Sequence, residues 1–228
     1  MNGTGYCIVK CDWTLSRISD YSIAEDSDCQ RDHKTGLNMS TYTLEQFISE
    51  CREGHAQGHE PADFVENIAP SMYRLLNGDK AFLKPEHFQS DPEHYARNAI
   101  HIEPDGLLSL YALVWEPGQW TPIHDHGTWG VVGVHEGMLN ECNYIRTDKG
   151  EAFAKENIKL VRGGVIMLSP GAVTSFVPNP DHIHVTGNPS PDIRVVSLHL
   201  YGSAMAGFHV YDRNAGTRKW IEVSHNES

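Results

Sequence analysis

Two histidines separated by one residue are the clearest chemical signal in the sequence. His124 and His126 close the segment that begins at Gly118. If this segment is extended, residues i and i+2 point to the same side, so both imidazoles project from one face. Imidazole binds zinc, copper, iron and nickel, so the pair predicts two ligands of a metal site. The pair alone is a weak signal, because histidines at this spacing also occur on protein surfaces.

Two later histidines are candidates for the third ligand. His182 and His184 lie two residues apart in another segment with the pattern of a strand. Alternation along a strand places both side chains on the same face, so it does not choose between them. The choice depends on a longer pattern of glycine, proline and asparagine around the histidines.

That longer pattern resembles the two signature motifs of the cupins. It comprises Gly118, His124, His126, Gly137, Gly164, Pro170, His184 and Asn188. The resemblance covers residues 95–212 and implies an all-β fold, the double-stranded β-helix or jelly-roll barrel of cupins. Since the second motif ends in His-x-x-x-Asn, the resemblance also favours His184 over His182 as the third ligand.

The sequence departs from most cupins at position 130. Most cupins place a glutamate ligand there, whereas this chain has Gly130. The resemblance therefore implies three neutral histidines, His124, His126 and His184, without a carboxylate ligand. A metal ion in such a site keeps its full positive charge and favours an anionic ligand such as a thiolate. Among iron cupins, this ligand set is characteristic of thiol dioxygenases.

A second group of polar residues strengthens the likeness to thiol dioxygenases. Ser197, His199 and Tyr201 alternate along one segment, so a strand would place all three on one face. The segment resembles the Ser-x-His-x-Tyr signature of the cysteine dioxygenase family. The resemblance implies that the hydroxyl of Tyr201 is directed at oxygen and substrate, with His199 and Ser197 supporting it.

The segment Tyr95-Ala-Arg97-Asn98 resembles the part of cysteine dioxygenases whose arginine binds the substrate carboxylate. The planar guanidinium of Arg97 suits that role, because it meets a carboxylate bidentately. Tyr95 is expected to line the same pocket. The resemblance thus implies a non-haem iron enzyme that uses Fe(2+) and O2 to oxidise a small, carboxylate-bearing thiol to its sulfinic acid.

Three further positions leave the substrate open. Animal enzymes have a cysteine seven residues after the first histidine ligand, and this cysteine cross-links to the catalytic tyrosine. Counted in the same way, that position is Val131 here, so Tyr201 is expected to stay unmodified. The bacterial branch that oxidises 3-mercaptopropionate usually has glutamine where Arg97 stands and arginine where Phe208 stands. The segments His126-Gly-Thr-Trp129-Gly and Tyr201-Gly202 do resemble that branch, so the pocket is mixed. Cysteine is the leading substrate, and 3-mercaptopropionate and mercaptosuccinate remain alternatives.

Two other functions use the same metal ligands. One is a non-catalytic cupin that binds a metal or a small ligand as a sensor. The other is a zinc or nickel cupin that acts as an isomerase or lyase. Neither requires Arg97 or the group Ser197, His199 and Tyr201, so these residues favour the dioxygenase.

Composition points to a small-molecule partner in the cytoplasm. The 228-residue chain has a formal net charge of −12, whereas nucleic acids and anionic membranes attract basic surfaces. No apolar stretch has the length of a membrane span, and the first residues show no secretory signal. The five cysteines are an odd number, which indicates reduced thiols rather than a disulfide framework. Oligomeric state is left open.

The elements that must position these residues fall into two regions. Residues 1–38 have weak periodicity and are expected to form a loosely attached, dispensable leader, with Met39 as a natural chain start. Residues 39–228 are predicted to form one domain, with a helical cap over 43–90 and a barrel over 95–223.

Within the cap, Thr43 and Gln46 form a capping box, and Pro61 suits the first turn of a second helix. Pro70 is expected to kink or split that helix, Gly78 to end it, and a short third helix to follow Lys84-Pro85. Short strands, with a turn at 162–164, are then predicted at 108–114, 129–135, 138–146, 158–162, 164–169, 173–178, 183–188, 194–202 and 208–212.

Overall fold

A computed structural model describes residues 42–148, 154–178 and 182–226. The predicted leader, residues 1–38, lies outside the described residues. The described chain contains the helices α1 (Leu44–Ala56) and α2 (Pro61–Asn77) and the short 3-10 helices Lys80–Phe82 and Pro85–Phe88. Its strands are β1 (Ala96–Ile102), β2 (Ser109–Trp115), β3 (Gly130–Glu136), β4 (Leu139–Arg146), β5 (Leu160–Leu168), β6 (Val173–Phe176), β7 (Ile183–Gly187), β8 (Val195–Tyr201), β9 (Gly207–Asp212) and β10 (Thr217–Glu222).

The two helices begin where the sequence predicts. The hydroxyl of Thr43 accepts from the Gln46 backbone N–H at 3.2 Å, and the Gln46 side chain accepts from the Thr43 N–H at 2.8 Å. Pro61 occupies the first turn of α2. The expected split at Pro70 is wrong, because α2 continues through it. Pro70 and Glu66 both lie on the exposed face, so the Glu66 carbonyl that loses its helical partner can be hydrated.

Two antiparallel arrangements of strands form the body of the domain. One sheet has the strand order β1-β2-β8-β3-β6. On the other side, β5-β4-β7 form a three-stranded sheet and β9 pairs with β10. The segment 120–124 lies between β7 and β9, because His124 forms bridges with both His184 and Val210. This segment places His124, the first of the two closely spaced histidines, between the two sets of strands.

The core has two layers around the five-stranded sheet. The helices cover its outer face, where Phe47, Met72, Leu75, Leu198 and Leu200 are buried together. The inner face packs against the opposite strands, and the residues on that side include Tyr111, Trp115, Val132, Tyr201 and Phe208. Both faces of β8 are therefore buried, so Ser197, His199 and Tyr201 point inward while their neighbours face the helices. Neither helix of the described residues is long and apolar enough to cross a membrane.

The strand boundaries differ from the sequence prediction in two ways. The predicted turn at 162–164 is wrong, because β5 runs through it without a break. Gly163 and Gly164 together oppose the single residue Asn143 of β4, which is a bulge rather than a turn. In addition, β1 and β10 have no counterpart among the predicted strands. β10 is largely polar and β1 mixes polar with apolar residues without strict alternation, so pairing with β9 and β2 defines these two strands.

Candidate active site

The three predicted metal ligands come together between the two sheets. The backbones of His124 and His184 exchange hydrogen bonds of 2.9 and 3.0 Å. The ring centroids of His124, His126 and His184 are 4.6, 4.8 and 4.9 Å apart. One nitrogen from each ring lies within 4.8 Å of the others. His184 thus comes close enough to His124 and His126 for the three side chains to hold a single metal ion.

The protonation of these histidines suits a metal ion. Burial lowers the pKa of His124 and His126 well below the usual value and also lowers that of His184, which leaves neutral imidazoles. Nδ1 of His124 lies 3.0 Å from the Pro122 carbonyl oxygen, so it can donate and leave Nε2 for a metal. Nε2 of His184 is buried and has no hydrogen-bond partner among the described residues. A metal cation would satisfy this nitrogen, so the donor set fits such an ion.

His182, the alternative third ligand, groups with a carboxylate and His184 rather than with the ligand nitrogens of His124 and His126. Its Nε2 lies 3.0 Å from Glu141 Oε1 and 3.1 Å from Asn143 Oδ1. The same Glu141 oxygen lies 3.4 Å from Nδ1 of His184, and Glu141, His182 and His184 form a second cluster of metal-ligating residue types. A carboxylate on the Nδ1 side of a metal-binding imidazole orients the ring and raises its basicity.

Sequence reasoning did not anticipate this negative charge. Burial by itself raises the pKa of Glu141, but its contacts with His182 and His184 outweigh this effect and lower the pKa below the usual value. Glu141 is therefore ionised, and it lies behind His184 rather than in the three-histidine group. A metal ion held by that group would have one buried negative charge within its surroundings.

The structure explains why position 130 carries no carboxylate. A Cβ at Gly130 would overlap the ring of Phe176, which lies directly over the Gly130 backbone. The Phe176 ring also stacks on His126, with ring centroids 4.3 Å apart. The apolar ring of Phe176 thus fills the space beside His126 that a glutamate side chain at position 130 would need.

One sequence-based assignment is corrected by the strand register. Val131, counted to the position of the cross-linking cysteine, is buried among the helices on the outer face of the sheet. Gly130 is the residue of β3 that pairs with Tyr201. Neighbouring residues of a strand point to opposite faces, so Gly130 and not Val131 is the residue of β3 beside Tyr201. The count along the chain was therefore off by one residue. The expectation that Tyr201 stays unmodified is unaffected, since Gly130 carries no thiol.

Ser197, His199 and Tyr201 form a continuous hydrogen-bonded chain. Ser197 Oγ lies 2.9 Å from His199 Nε2, and His199 Nδ1 lies 3.0 Å from the Tyr201 hydroxyl. The indole N–H of Trp115, which the sequence did not single out, donates to Ser197 Oγ at 2.9 Å. These bonds are satisfied together if Ser197 donates to Nε2 and Nδ1–H donates to Tyr201. The Tyr201 proton is then free to donate into the cavity.

This direction of donation requires a neutral His199, and burial lowers its pKa to about 3. The unfolded chain takes up a proton at His199 below about pH 6.5, whereas the folded protein does so only near pH 3. Between these values, lowering the pH favours unfolding by about 1.4 kcal/mol per pH unit from this group.

We therefore expect a His199→Gln variant to lose that part of the acid sensitivity. Urea unfolding of the metal-free protein and the variant at pH 6.5, 5.5 and 4.5, within the range set by the two pKa values, measures the slope. Parallel slopes for the two proteins would show that His199 is not held neutral by the fold.

Arg97 lies on β1 and is only 7% exposed. Its two terminal nitrogens lie 3.4 and 3.3 Å from the Met205 carbonyl oxygen, and its guanidinium lies 4.7 Å from the centroid of the Tyr111 ring. Among the described residues, no carboxylate forms an ion pair with Arg97. A buried cation without a counter-ion is costly, so this guanidinium is suited to bind an anion.

The predicted site residues surround one small cavity. Arg97, Tyr95, His199 and Tyr201 line it together with the three histidines His124, His126 and His184, and its volume is about 20 Å³. Tyr95 stacks on Trp115 with ring centroids 4.5 Å apart. Ser197 lies behind His199, outside the lining. The structure thus brings every sequence-predicted site residue to this cavity or directly behind it.

Asp125, between the two histidines of the pair, fixes their segment to the hairpin of β9 and β10. Its carboxylate accepts from the His209 backbone N–H at 3.0 Å and from the Tyr211 hydroxyl at 2.8 Å. Residues between two ligands on a strand point away from the metal, which is the signal that could have found this contact. Contacts of Trp115, Glu141 and Phe176 depend on strand register, so no local pattern could have found them.

Comparisons with known proteins found one matching family and several similar solved structures. Residues 40–214 match the family described as cysteine dioxygenase type I. Among solved structures, a Klebsiella pneumoniae protein with a double-stranded β-helix domain is 18% identical, with a TM-score of 0.41, 59% of this chain covered and 98% of that chain covered. A cupin-like protein from Thermotoga maritima is 16% identical, with a TM-score of 0.36 and coverage of 63% and 90%. A DMSP lyase from Ruegeria pomeroyi is 16% identical, with a TM-score of 0.34 and coverage of 53% and 54%.

Proposed function

The chain belongs to the cysteine dioxygenase type I family, and from this premise we propose that it is an iron(II)-dependent thiol dioxygenase. The reaction combines R–SH with one O2 to give the sulfinic acid R–SO2H, so both oxygen atoms end on sulfur. The observation that carries the proposal is the position of Arg97. This buried guanidinium has no carboxylate partner among the described residues and borders the same cavity as the three histidines.

Different residues of the cavity bind the substrate carboxylate, hold the metal ion and orient the reacting groups. The Arg97 guanidinium binds the substrate carboxylate in a two-pronged contact, and this places the thiolate sulfur beside the three histidines. Tyr95 lines the carboxylate end of the cavity. His124, His126 and His184 would hold the iron(II) ion, and this ion would supply the chemistry that activates dioxygen. The Tyr201 hydroxyl, supported by His199, donates a hydrogen bond to the charge that develops during oxygen transfer.

Cysteine is the substrate we propose first. It carries the carboxylate that Arg97 requires, and Arg97 borders the cavity together with the three histidines. The 3-mercaptopropionate and mercaptosuccinate anions share the thiol and carboxylate, so they are the alternatives. We further propose that the two sheets form the jelly-roll barrel of cupins and that the enzyme works in the cytoplasm, where thiols are kept reduced.

Replacing Tyr201 with phenylalanine should separate catalysis from metal binding. The substitution removes one hydrogen-bond donor and leaves the ring, so we expect turnover to fall by about 100-fold. Iron content should stay equal to that of the unmodified protein, because Tyr201 is not among the proposed ligands. Steady-state oxygen uptake and metal analysis of the same sample measure both quantities. Equal losses of iron and turnover would mark Tyr201 as structural.

Oxygen uptake across four thiols tests the proposed function. The protein is loaded with iron(II) under anaerobic conditions and then exposed to O2 with cysteine, 3-mercaptopropionate, mercaptosuccinate or cysteamine. We expect sulfinate from at least one carboxylate-bearing thiol and little from cysteamine, which lacks the group that Arg97 binds. Stoichiometric iron without oxygen uptake from any thiol would favour a non-catalytic metal-binding protein.

A further inference from the structure

Two cavities of very different size share one aromatic ring in their lining. The inner cavity, which the three histidines border, has a volume of about 20 Å³. A groove that is more open to solvent has a volume of about 360 Å³ and is lined by residues of β4, β6 and β7, including Glu141 and His182. Phe176 is the residue that lines both.

Resting on the proposed function, we propose that Phe176 is the specificity-determining wall of the substrate cavity and that thiols reach the three histidines past it from the groove. The inner cavity has room for about one water molecule. A thiol with three carbons and a carboxylate is larger, so a wall must move when it binds. The identity of the moving wall decides both the route of entry and the size of thiol that is accepted.

The position of Phe176 makes it the wall that opens toward solvent. It is the last residue of β6, a four-residue edge strand that pairs only with β3 in the five-stranded sheet. Its ring packs against both His126 and His182, with centroid distances of 4.3 and 4.6 Å. Rotation of this ring away from His126 would join the two cavities. Two other apolar lining residues, Leu113 and Val132, belong to strands that are paired on both edges.

Gly130 makes this position of the ring available. Because a Cβ at residue 130 would overlap Phe176, glycine is required for the ring to lie against His126. The absence of a side chain at Gly130 therefore has two consequences: Phe176 can lie against His126, and no carboxylate ligand is present at position 130. Tyr95 marks the rival route, since it is partly exposed while the other residues that line the inner cavity are buried.

The chain offers a matched control for Phe176. Phe208 also lines the inner cavity and packs on a metal-site histidine, with its ring 4.8 Å from that of His124, but it does not line the groove. Phe176→Ala and Phe208→Ala therefore remove the same ring beside the same site. Only the first change joins the inner cavity to the groove.

The first readout does not depend on oxygenase activity. Protein loaded with cobalt(II) is mixed with the chelator 4-(2-pyridylazo)resorcinol, and the rate of metal release is followed by absorbance. We expect release from Phe176→Ala to be at least about tenfold faster than from Phe208→Ala, because the metal then has an open path. Phe176→Leu, which keeps apolar packing, should lie between the unmodified protein and Phe176→Ala. Circular dichroism establishes that each variant is folded.

The second readout is substrate size. The ratio of kcat/KM for 2-benzyl-3-mercaptopropionate to that for 3-mercaptopropionate should rise by about tenfold or more in Phe176→Ala and change little in Phe208→Ala. Equal effects of the two variants on release and on this ratio would overturn the proposal, as would faster release in Tyr95→Ala without a change in Phe176→Ala. A protein that holds cobalt but oxidises no thiol would refute the proposed function, while the release rates would still decide the route.

Discussion

A His184→Ala variant is expected to lose its metal and, with it, all measurable thiol oxidation. His184 is the one ligand that comes from β7, and its Nε2 has no partner among the described residues other than the metal we propose. Removal of a residue that only supports a ligand already weakens metal binding by about 10- to 100-fold, so loss of the ligand itself should cost more. Metal analysis after iron(II) loading and gel filtration measures the effect.

His182→Ala is the matched control for this prediction. The residue lies on the same face two positions away, but its Nε2 contacts Glu141 and Asn143. This variant should retain one iron per chain, with a weaker affinity because Glu141 loses a partner. If His182→Ala emptied the site and His184→Ala kept it filled, the assignment of the third ligand would be reversed.

An Arg97→Ala variant is expected to lower kcat/KM for carboxylate-bearing thiols by about 100- to 1000-fold while the iron content stays unchanged. The guanidinium is buried and, in our proposal, receives its counter-charge from the substrate alone. Arg97→Lys should recover only part of the loss, because an ammonium group keeps the charge without the planar fork. Steady-state kinetics with cysteine and the two alternative acids provides the measurement.

Cysteamine supplies the internal control for Arg97. It carries the thiol and the amine of cysteine but no carboxylate, so its slow oxidation should be the same in the unmodified protein and in Arg97→Ala. A fall for cysteamine as large as that for cysteine would mean that Arg97 maintains the cavity rather than binding the carboxylate.

The sequence was sufficient to predict the features that depend on local spacing. The capping box of Thr43 and Gln46 acts within one helical turn, and it is confirmed. The pair His124 and His126 projects from one extended segment, and alternation along β8 brings Ser197, His199 and Tyr201 to one face. Each of these arrangements follows from the geometry of a single element, so residue types at a fixed spacing indicate it.

The rest depends on which strands are neighbours, and no local pattern contains that information. Phe176 lies over Gly130 only because β6 pairs with β3 in the observed register. Glu141 lies behind His184 because β4 pairs with β7. Trp115 supports Ser197 because β2 pairs with β8, which brings the indole within reach of the hydroxyl. A one-residue error in such a register reverses a side chain, as the misassigned Val131 illustrates.

Labelled oxygen tests whether the protein transfers both atoms of one O2 to the sulfur of a thiol. Iron(II)-loaded protein is given cysteine, or the thiol found most active, under 18O2 in ordinary water, and the product is analysed by mass spectrometry. We expect a sulfinate that carries two labelled oxygen atoms, formed with one O2 consumed per thiol. Disulfide as the sole product, or sulfinate whose oxygen comes from water, would contradict this expectation.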